Sequence, residues 1–309
     1  MTTKRKLEEL NLLDDFLFGT MVSYPEIGET FCRAMLGIIL NREIGRLKVI
    51  PQRVYLGSDT DMHGTRLDVY LEDETDSIRM EEIREETVYD VEPDKNNDEL
   101  AKARLPKRVR FYRSKIDGKM LQAGESYDNL KNVIIIMIMP YDPFDRDRMI
   151  YTIQNICKEE PDIPYDDGAV NIFLYTRGRK GNTSKELQQL LVYMENTTKE
   201  NAVNSTLQDI HRMVEIVKKD EEVSLKYMKI WEREEMLRRE GQEMERANVL
   251  REKERADTAE KRANEEKERA DTAEMRANAE KERADKLEAR LEELERRLRE
   301  VKDDSQTEK

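Results

Sequence analysis

Acidic side chains occupy every second position of the stretch TVYDVEPDK, residues 87–95. Asp90, Glu92 and Asp94 would lie on one face of an extended chain, because successive side chains of a strand point to opposite faces. Carboxylates this close repel one another unless a cation lies among them. A hard divalent ion such as Mg²⁺ or Mn²⁺ suits such ligands, lowers the pKa of bound water and stabilises charge on a phosphate. The spacing therefore indicates a candidate metal site, with a solvated acidic strand face as the alternative.

Asp68 is the candidate partner of these carboxylates. The stretch TRLDVYL, residues 65–71, alternates apolar and polar residues and predicts a strand with Asp68 and Tyr70 on its polar face. In neighbouring strands Asp68 and the acidic triplet could lie side by side. We therefore expect Asp68 and carboxylates of the triplet to be able to share one divalent ion, which requires their side chains to lie on the same side of the sheet.

A basic helix is predicted directly after the acidic strand, over residues 99–125. Its apolar residues recur at helical spacing and form one stripe: Leu105, Val109, Tyr112, Ile116 and Met120. Basic residues flank that stripe: Arg104, Arg108, Arg110, Arg113, Lys115 and Lys119. Because phosphate contacts need such side chains, we expect Arg104, Arg108, Arg110, Lys115 and Lys119 to bind the DNA backbone. An ordinary solvated helix is the alternative.

The surrounding elements predict an α/β fold. Helical spacing over 25–40 is followed by extended segments over 46–56, 65–71 and 87–95. After the basic helix come two further strands, the uninterrupted apolar run NVIIIMIMP (132–140) and AVNIFLYT (169–176). An apolar run of this kind is typical of a strand covered on both faces. The order helix, three strands, helix, strand, strand predicts a mixed sheet in a layered α/β domain.

Composition divides the chain and excludes several classes of protein. We expect an α/β domain over 1–182, a helical region over 183–245 and a charged helical tail over 246–309. The net charge of −13 excludes a protein that coats nucleic acid with a generally basic surface. The only cysteines, Cys32 and Cys157, have no CxxC spacing, and no apolar run approaches 18 residues. These features predict a soluble, cytoplasmic protein with no membrane partner.

The tail contains an internal repeat of 14 residues, or two heptads. EKERADTAEKRANE (252–265) recurs at 266–279 and in part at 280–291. With Ala256 at heptad position a, the last part carries leucine at successive a and d positions, which is typical of a coiled coil. We expect self-association through residues 284–301. A single charged helix that acts as a spacer is the alternative.

Six stretches in series resemble the PD-(D/E)XK nuclease family transposases, also called recombination-promoting nucleases. They are LLDDFLFGTMVSYPEIGETFCRAMLGIIL, RLDVYLED, VYDVEPDK, LPKRVRFYRSKID, VIIIMIMPYDPFDRDRMIYT and IFLYTRG, and the resemblance covers roughly residues 8–240. It implies a restriction-endonuclease-like αβββαβ core and a Mg²⁺-dependent (or Mn²⁺-dependent) DNA endonuclease. Asp68 and Glu92 would be the metal ligands, with the carbonyl of Pro93 as a third. Asp14 or Asp15 would contribute a further acidic group.

The chain departs from the pattern of that family at one position. The lysine or glutamine expected two residues after Glu92 is Asp94, and Lys95 follows it. In a regular strand Lys95 would point away, although Pro93 could distort the geometry. The predicted catalytic set is Asp68, Glu92, Asp94 and Lys95. Two hypotheses stay open: an active endonuclease, or a weakened nuclease-fold module that binds DNA or protein and oligomerises through its tail.

Overall fold

The computed structural model describes residues 5–51, 54–55, 65–66, 69–74, 86–121 and 124–307. The chain forms two compact units, Met1–Ile230 and Trp231–Lys309. Within the described ranges no helix is both long enough and apolar enough to cross a membrane.

The first unit is built on strands β1 to β8 and helices α1 to α5. The strands are β1 (Arg46–Pro51), β2 (Val54–Tyr55), β3 (Thr65–Arg66), β4 (Val69–Glu74), β5 (Thr87–Pro93), β6 (Asn132–Met139), β7 (Ile150–Ile153) and β8 (Ala169–Tyr175). The helices are α1 (Asp15–Ser23), α2 (Gly28–Leu40), α3 (Glu99–Met120), α4 (Lys185–Glu195) and α5 (Ser205–Lys219). A last helix, α6 (Glu221–Thr307), continues into the second unit.

Six of the strands form one mixed sheet in the order β1-β4-β5-β6-β8-β7. Strand β4 is antiparallel to β1 and β5, while β5, β6 and β8 run parallel to one another. Strand β7 lies antiparallel to β8 at the edge, and β2 and β3 form a separate two-stranded ladder. The expected α/β class with a mixed sheet is confirmed, and the predicted strand over 65–71 is β3 and β4, with 67–68 outside the described residues.

The sheet separates two apolar cores because its side chains alternate between faces. On one face Tyr89 and Val91 of β5 pack into a core shared with α1, α2, α4 and α5. On the other face Val88 packs with Leu105, Val109 and Ile116 of α3. Strand β6 is central, and Val133 and residues 135–139 are buried, as its apolar run predicted. The face under α3 is the one that carries the candidate site.

Helix α3 begins at the end of the acidic strand, five residues after Asp94. The side chain of Asp98 caps it by accepting a hydrogen bond from the N–H of Leu100. The predicted apolar stripe is confirmed, since Leu105, Val109 and Ile116 are buried and Tyr112 and Met120 pack against the same core. Packing of this stripe on β5 and β6 fixes the basic flank of α3 beside the acidic strand.

Candidate functional site

Strand β5 presents its three carboxylates to the α3 side of the sheet. Asp90, Glu92 and Asp94 have relative exposures of 0%, 5% and 8%. Asp90 lies opposite Tyr70 of β4, which belongs to the α3 core. The shared face predicted from the alternate spacing is therefore confirmed, and the alternative of a solvated acidic face is not found. Pro93 does not end the ladder early, because its register partner in β6 is Ile138.

Asp94 accepts hydrogen bonds from α3 and from the loop that follows β5 in sequence. The Nη2 atom of Arg108 on α3 lies 2.6 Å from Asp94 Oδ2, and the N–H of Asn96 lies 2.8 Å from Oδ1. The hydroxyl of Tyr141, which follows β6, also bonds to Asp94; burial, followed by this negative charge, raises the pKa of Tyr141. Asp94 thus fixes Arg108 and Tyr141 at the carboxyl end of β5.

Arg108 supplies positive charge beside the acidic strand. Burial lowers its pKa, but the charges of Asp94, Tyr112 and Glu92 outweigh burial and raise the pKa overall, so the guanidinium stays protonated. Its buried Nε has no hydrogen-bond partner in the described part of the chain. Arg108 is thus a cation held against Asp94 and electrostatically coupled to Glu92.

Lys95 reaches the start of α1, where the expected acidic group at 14–15 lies. Its ammonium forms an ion pair with Asp14 Oδ1, an atom that also accepts from Arg5 Nη1 at 2.9 Å. Asp14 is the N-cap residue of α1, and its Oδ2 accepts from the N–H of Asn11 at 2.6 Å. Burial raises the pKa of Asp14, but the bonds from Lys95 and Asn11 outweigh it and lower the pKa overall.

Asp15 couples the start of α1 to the end of β5 electrostatically. Burial raises its pKa, the charge of Lys95 lowers it, and the nearby carboxylates of Asp14 and Asp94 raise it again, so that the net pKa is raised. The structure therefore brings the expected acidic group at 14–15 near Asp94. Asp14 is engaged by Lys95, and Asp15 is the less fully compensated carboxyl.

Asp68 lies outside the described residues, which begin again at Val69 of β4. Among the described residues no group of three or more acidic, histidine or cysteine side chains could hold a metal. Strand β5 itself contributes two carboxylates, Asp90 and Glu92, which lie two residues apart on one face. Oxygen donors of this kind fit a hard cation such as Mg²⁺, which takes one or two carboxylates and keeps several waters.

The basic residues of α3 divide into three environments. Arg104, Arg110 and Lys119 are exposed, and half-buried Lys115 lies 5.2 Å from the ring centre of Phe111. Arg108 points to Asp94. Arg113 instead donates to the carbonyls of Val133 and Val170 and to Asn171 Oδ1, each at 2.8 Å. Three of the predicted DNA-contacting side chains are therefore exposed, whereas Arg113 is bound to strands β6 and β8.

Tyr141 and Lys102 belong to the site but are not predicted from the sequence. Lys102 Nζ lies 5.6 Å from the ring centre of Tyr141, which itself bonds to Asp94. The signal for Tyr141 is its position directly after a buried parallel strand. Parallel strands end at the same sheet edge, so residues following β6 lie near those ending β5.

No family model, curated protein or solved structure matches this chain. The functional assignment therefore depends on the geometry around β5 and on the motifs in the sequence.

Proposed function

We propose that this chain is a metal-dependent endonuclease that hydrolyses phosphodiester bonds of DNA. The observation that supports this most is the burial of Asp90, Glu92 and Asp94 on one sheet face with the Arg108 guanidinium beside them. Buried carboxylates keep their charge only with compensating positive charge, which Arg108 supplies in part and a bound cation would complete. The sequence resemblance to PD-(D/E)XK nucleases independently favours the same chemistry.

In this proposal Asp68 and Glu92 hold the divalent ion, with the carbonyl of Pro93 as a further oxygen donor. When bound, Mg²⁺ or Mn²⁺ supplies a water of lowered pKa and neutralises charge on the phosphate. The proposal requires the Asp68 carboxylate to reach Glu92. Tyr70 and Asp90 are partners in the antiparallel pairing of β4 and β5. Asp68 and Glu92 each lie two residues from this pair in sequence, which is compatible with that requirement.

Arg108 takes the position of the missing lysine in this proposal. Asp94 cannot supply positive charge, but it orients a guanidinium that can. The Arg108 side chain keeps 32% of its surface exposed, and its guanidinium would donate to a phosphate oxygen and stabilise the charge that builds there during cleavage. Exposed Arg104, Arg110 and Lys119 would contact the flanking DNA backbone, with half-buried Lys115 beside them.

A weakened nuclease-fold module that binds DNA or protein is the second candidate function. It is favoured by the identity of Asp94, which stands where the resemblance expects lysine or glutamine and is fixed by Arg108 and Tyr141. In this candidate the acidic face would retain its fold without cutting.

Nicking of supercoiled plasmid with Mg²⁺ or Mn²⁺ tests the proposal. We expect wild type to nick the plasmid, and Asp68→Ala and Glu92→Ala each to reduce the rate by about 100-fold or more, since a metal ligand is lost. Glu160→Ala is the matched control, because Glu160 is an exposed acid in the segment between β7 and β8. Equal rates for Glu92→Ala and wild type would refute the proposed role of Glu92.

Asp94→Lys distinguishes the two candidates. A silent wild type together with nicking by Asp94→Lys would establish the weakened module and reject the active endonuclease. Thermal unfolding gives a readout that does not need cleavage. If the metal is bound, Mg²⁺ or Mn²⁺ raises the melting temperature of wild type but not of Asp68→Ala, because a ligand that binds only the folded state stabilises it.

A further inference from the structure

The second unit is a helix whose leucine seam is uncovered. Heptad positions a and d of its last part include Leu287, Leu291 and Leu294, whose relative exposures are 66%, 60% and 54%. Leucines that repeat at this spacing and remain exposed indicate an interaction surface, because monomeric proteins rarely leave such a stripe open.

Two equivalent shallow grooves continue the seam toward the N-terminal side of the tail. One groove is lined by residues including Ala259 and Ala263, and the other by Ala273 and Ala277, the same positions one 14-residue repeat later. These alanines occupy d and a, so the grooves lie on the same heptad face as the leucines. Side chains this small let a second helix approach closely at these positions, while Glu266 and Glu280 occupy the alternate d positions.

The charges beside the seam favour a parallel partner of the same sequence. Position g is arginine in every heptad from Arg255 to Arg297, whereas position e alternates mainly between glutamate and lysine. In a parallel pair each g residue faces the e residue five positions later on the other chain, and in an antiparallel pair g faces g. An antiparallel pair would therefore place arginine against arginine along the whole tail.

Parallel pairing brings opposite charges together where the leucines are. Arg283 would face Glu288 of the second copy, and Arg290 would face its Glu295. In the alanine-rich part the same rule pairs Arg255 with Glu260 and Arg269 with Glu274 favourably. The unfavourable pairs are Arg262 with Lys267, Arg276 with Lys281 and Arg297 with Lys302. The two consecutive favourable pairs thus flank the uncovered leucines.

We propose that the tail binds the tail of a second copy of this chain as a parallel, in-register coiled-coil dimer. Register follows from the seam, because a shift by one heptad would place Leu287 of one helix against Glu280 of the other. A symmetric dimer is the commonest closed assembly, and here both copies enter the coiled coil from the same end. The proposal does not depend on the proposed cleavage.

Cysteine cross-linking in the full chain tests the orientation. In a Cys157→Ser background, Ala284→Cys places a thiol at position a, and Ala289→Cys places one at outward-facing position f of the same heptad. Mild oxidation is expected to link Ala284→Cys into a dimer while Ala289→Cys stays unlinked. A dimer in which Ala284→Cys does not link, or in which both variants link equally, overturns the parallel arrangement.

Charge reversal tests the pairing and the place of the interface. Sedimentation over a concentration series is expected to show a wild-type dimer. Glu288→Arg with Glu295→Arg should raise its dissociation constant by about tenfold or more, because four attractive contacts become repulsive. Adding Arg283→Glu and Arg290→Glu should restore the dimer.

The control for charge reversal is Glu282→Arg with Glu292→Arg, which makes the same charge change at outward positions f and b. This variant is expected to dimerise like wild type. A wild type that is monomeric at every concentration overturns the proposal, and so does a dimer that tolerates Glu288→Arg with Glu295→Arg unchanged.

Discussion

Arg108 and Asp94 join α3 to the end of β5 through a largely buried ion pair. Removing one partner of such a pair leaves an uncompensated charge, which costs more than the pair itself contributes. The same contact orients the guanidinium that we propose to act on the phosphate. Stability and activity at this position are therefore coupled, and a test must separate them.

Arg108→Ala is expected to lower the free energy of unfolding by about 2–4 kcal/mol, because the Asp94 charge stays buried. Arg108→Ala with Asp94→Asn should regain much of that stability, as measured by urea unfolding. Nicking should not recover in the double variant, since the cation is still missing. Recovery of nicking with stability would show that Arg108 has only a structural role.

The lowered pKa of Asp14 predicts that the stability of the fold depends on pH. Its pKa in the folded chain is lowered from 3.8, so its contribution is present above that pH and is lost as pH falls through the folded pKa. We expect Asp14→Asn to be about 1–2 kcal/mol less stable than wild type at pH 7, and the difference to shrink below pH 4. Chemical unfolding at both pH values measures this, and a difference that persists unchanged at low pH would contradict it.

Residue-level features were predictable where strand alternation decides them. The shared face of Asp90, Glu92 and Asp94 follows from a period of two. The contacts of Asp94 with Arg108 and Tyr141 were not predictable from the sequence, because these two residues belong to other elements. Such contacts depend on how α3 and β6 pack, which no local pattern encodes.

At the scale of elements, α3 is attached to the sheet at several places. Its apolar stripe packs on β5 and β6, and Arg113 bonds to two carbonyls, one of Val133 in β6 and one of Val170 in β8. This basic residue looks in the sequence like its neighbours on the helix flank. Only the contact with the first residues of β6 and β8 distinguishes Arg113 from exposed Arg110.

Arg113→Ala is expected to lower the free energy of unfolding by about 2–4 kcal/mol, because two carbonyls and Asn171 lose their donors. Arg110→Ala removes the same charge from an exposed position and should change stability by less than about 0.5 kcal/mol. Urea unfolding compares the two variants. Equal losses would mean that the Arg113 bonds contribute nothing measurable.

The long elements were predictable and one short element was not. Helices α2 and α3 and strands β5, β6 and β8 have strong periodicity or an uninterrupted apolar run. Strand β7 is four residues long and lies at the sheet edge, where Thr152 and Ile153 are exposed. Strand β7 is held at the sheet edge by its pairing with β8. Its own four residues show no alternating pattern that would predict a strand.

At the scale of the whole molecule, the first unit extends beyond the α/β layers. Leucines of α4 and α5 bury in the same core as α1 and α2, and Val223 and Tyr227 at the start of α6 pack there as well. Composition alone separated 183–245 as a helical region, because it detects the loss of proline and β-branched runs. It does not detect that these helices cover one face of the sheet.

A chain that ends at Ile230 is expected to unfold cooperatively, with a melting temperature within about 5 °C of the full chain, because its core is complete. A chain that ends at Asp220 lacks Val223 and Tyr227 and should be about 2–4 kcal/mol less stable. Calorimetry at matched concentrations measures both. Similar stability of the two truncated chains would show that the start of α6 adds nothing to the core.

The nearly identical 14-residue units within α6 have a consequence for how this molecule can change over generations. Gain or loss of one unit would alter the tail by about 21 Å, at 1.5 Å per residue. Since each unit contains two whole heptads, the seam would keep its phase and neither the α/β core nor the terminal leucines would be disturbed. The length of the tail can therefore change in steps of one unit, while the sequences of the α/β core and of the terminal leucine seam stay the same.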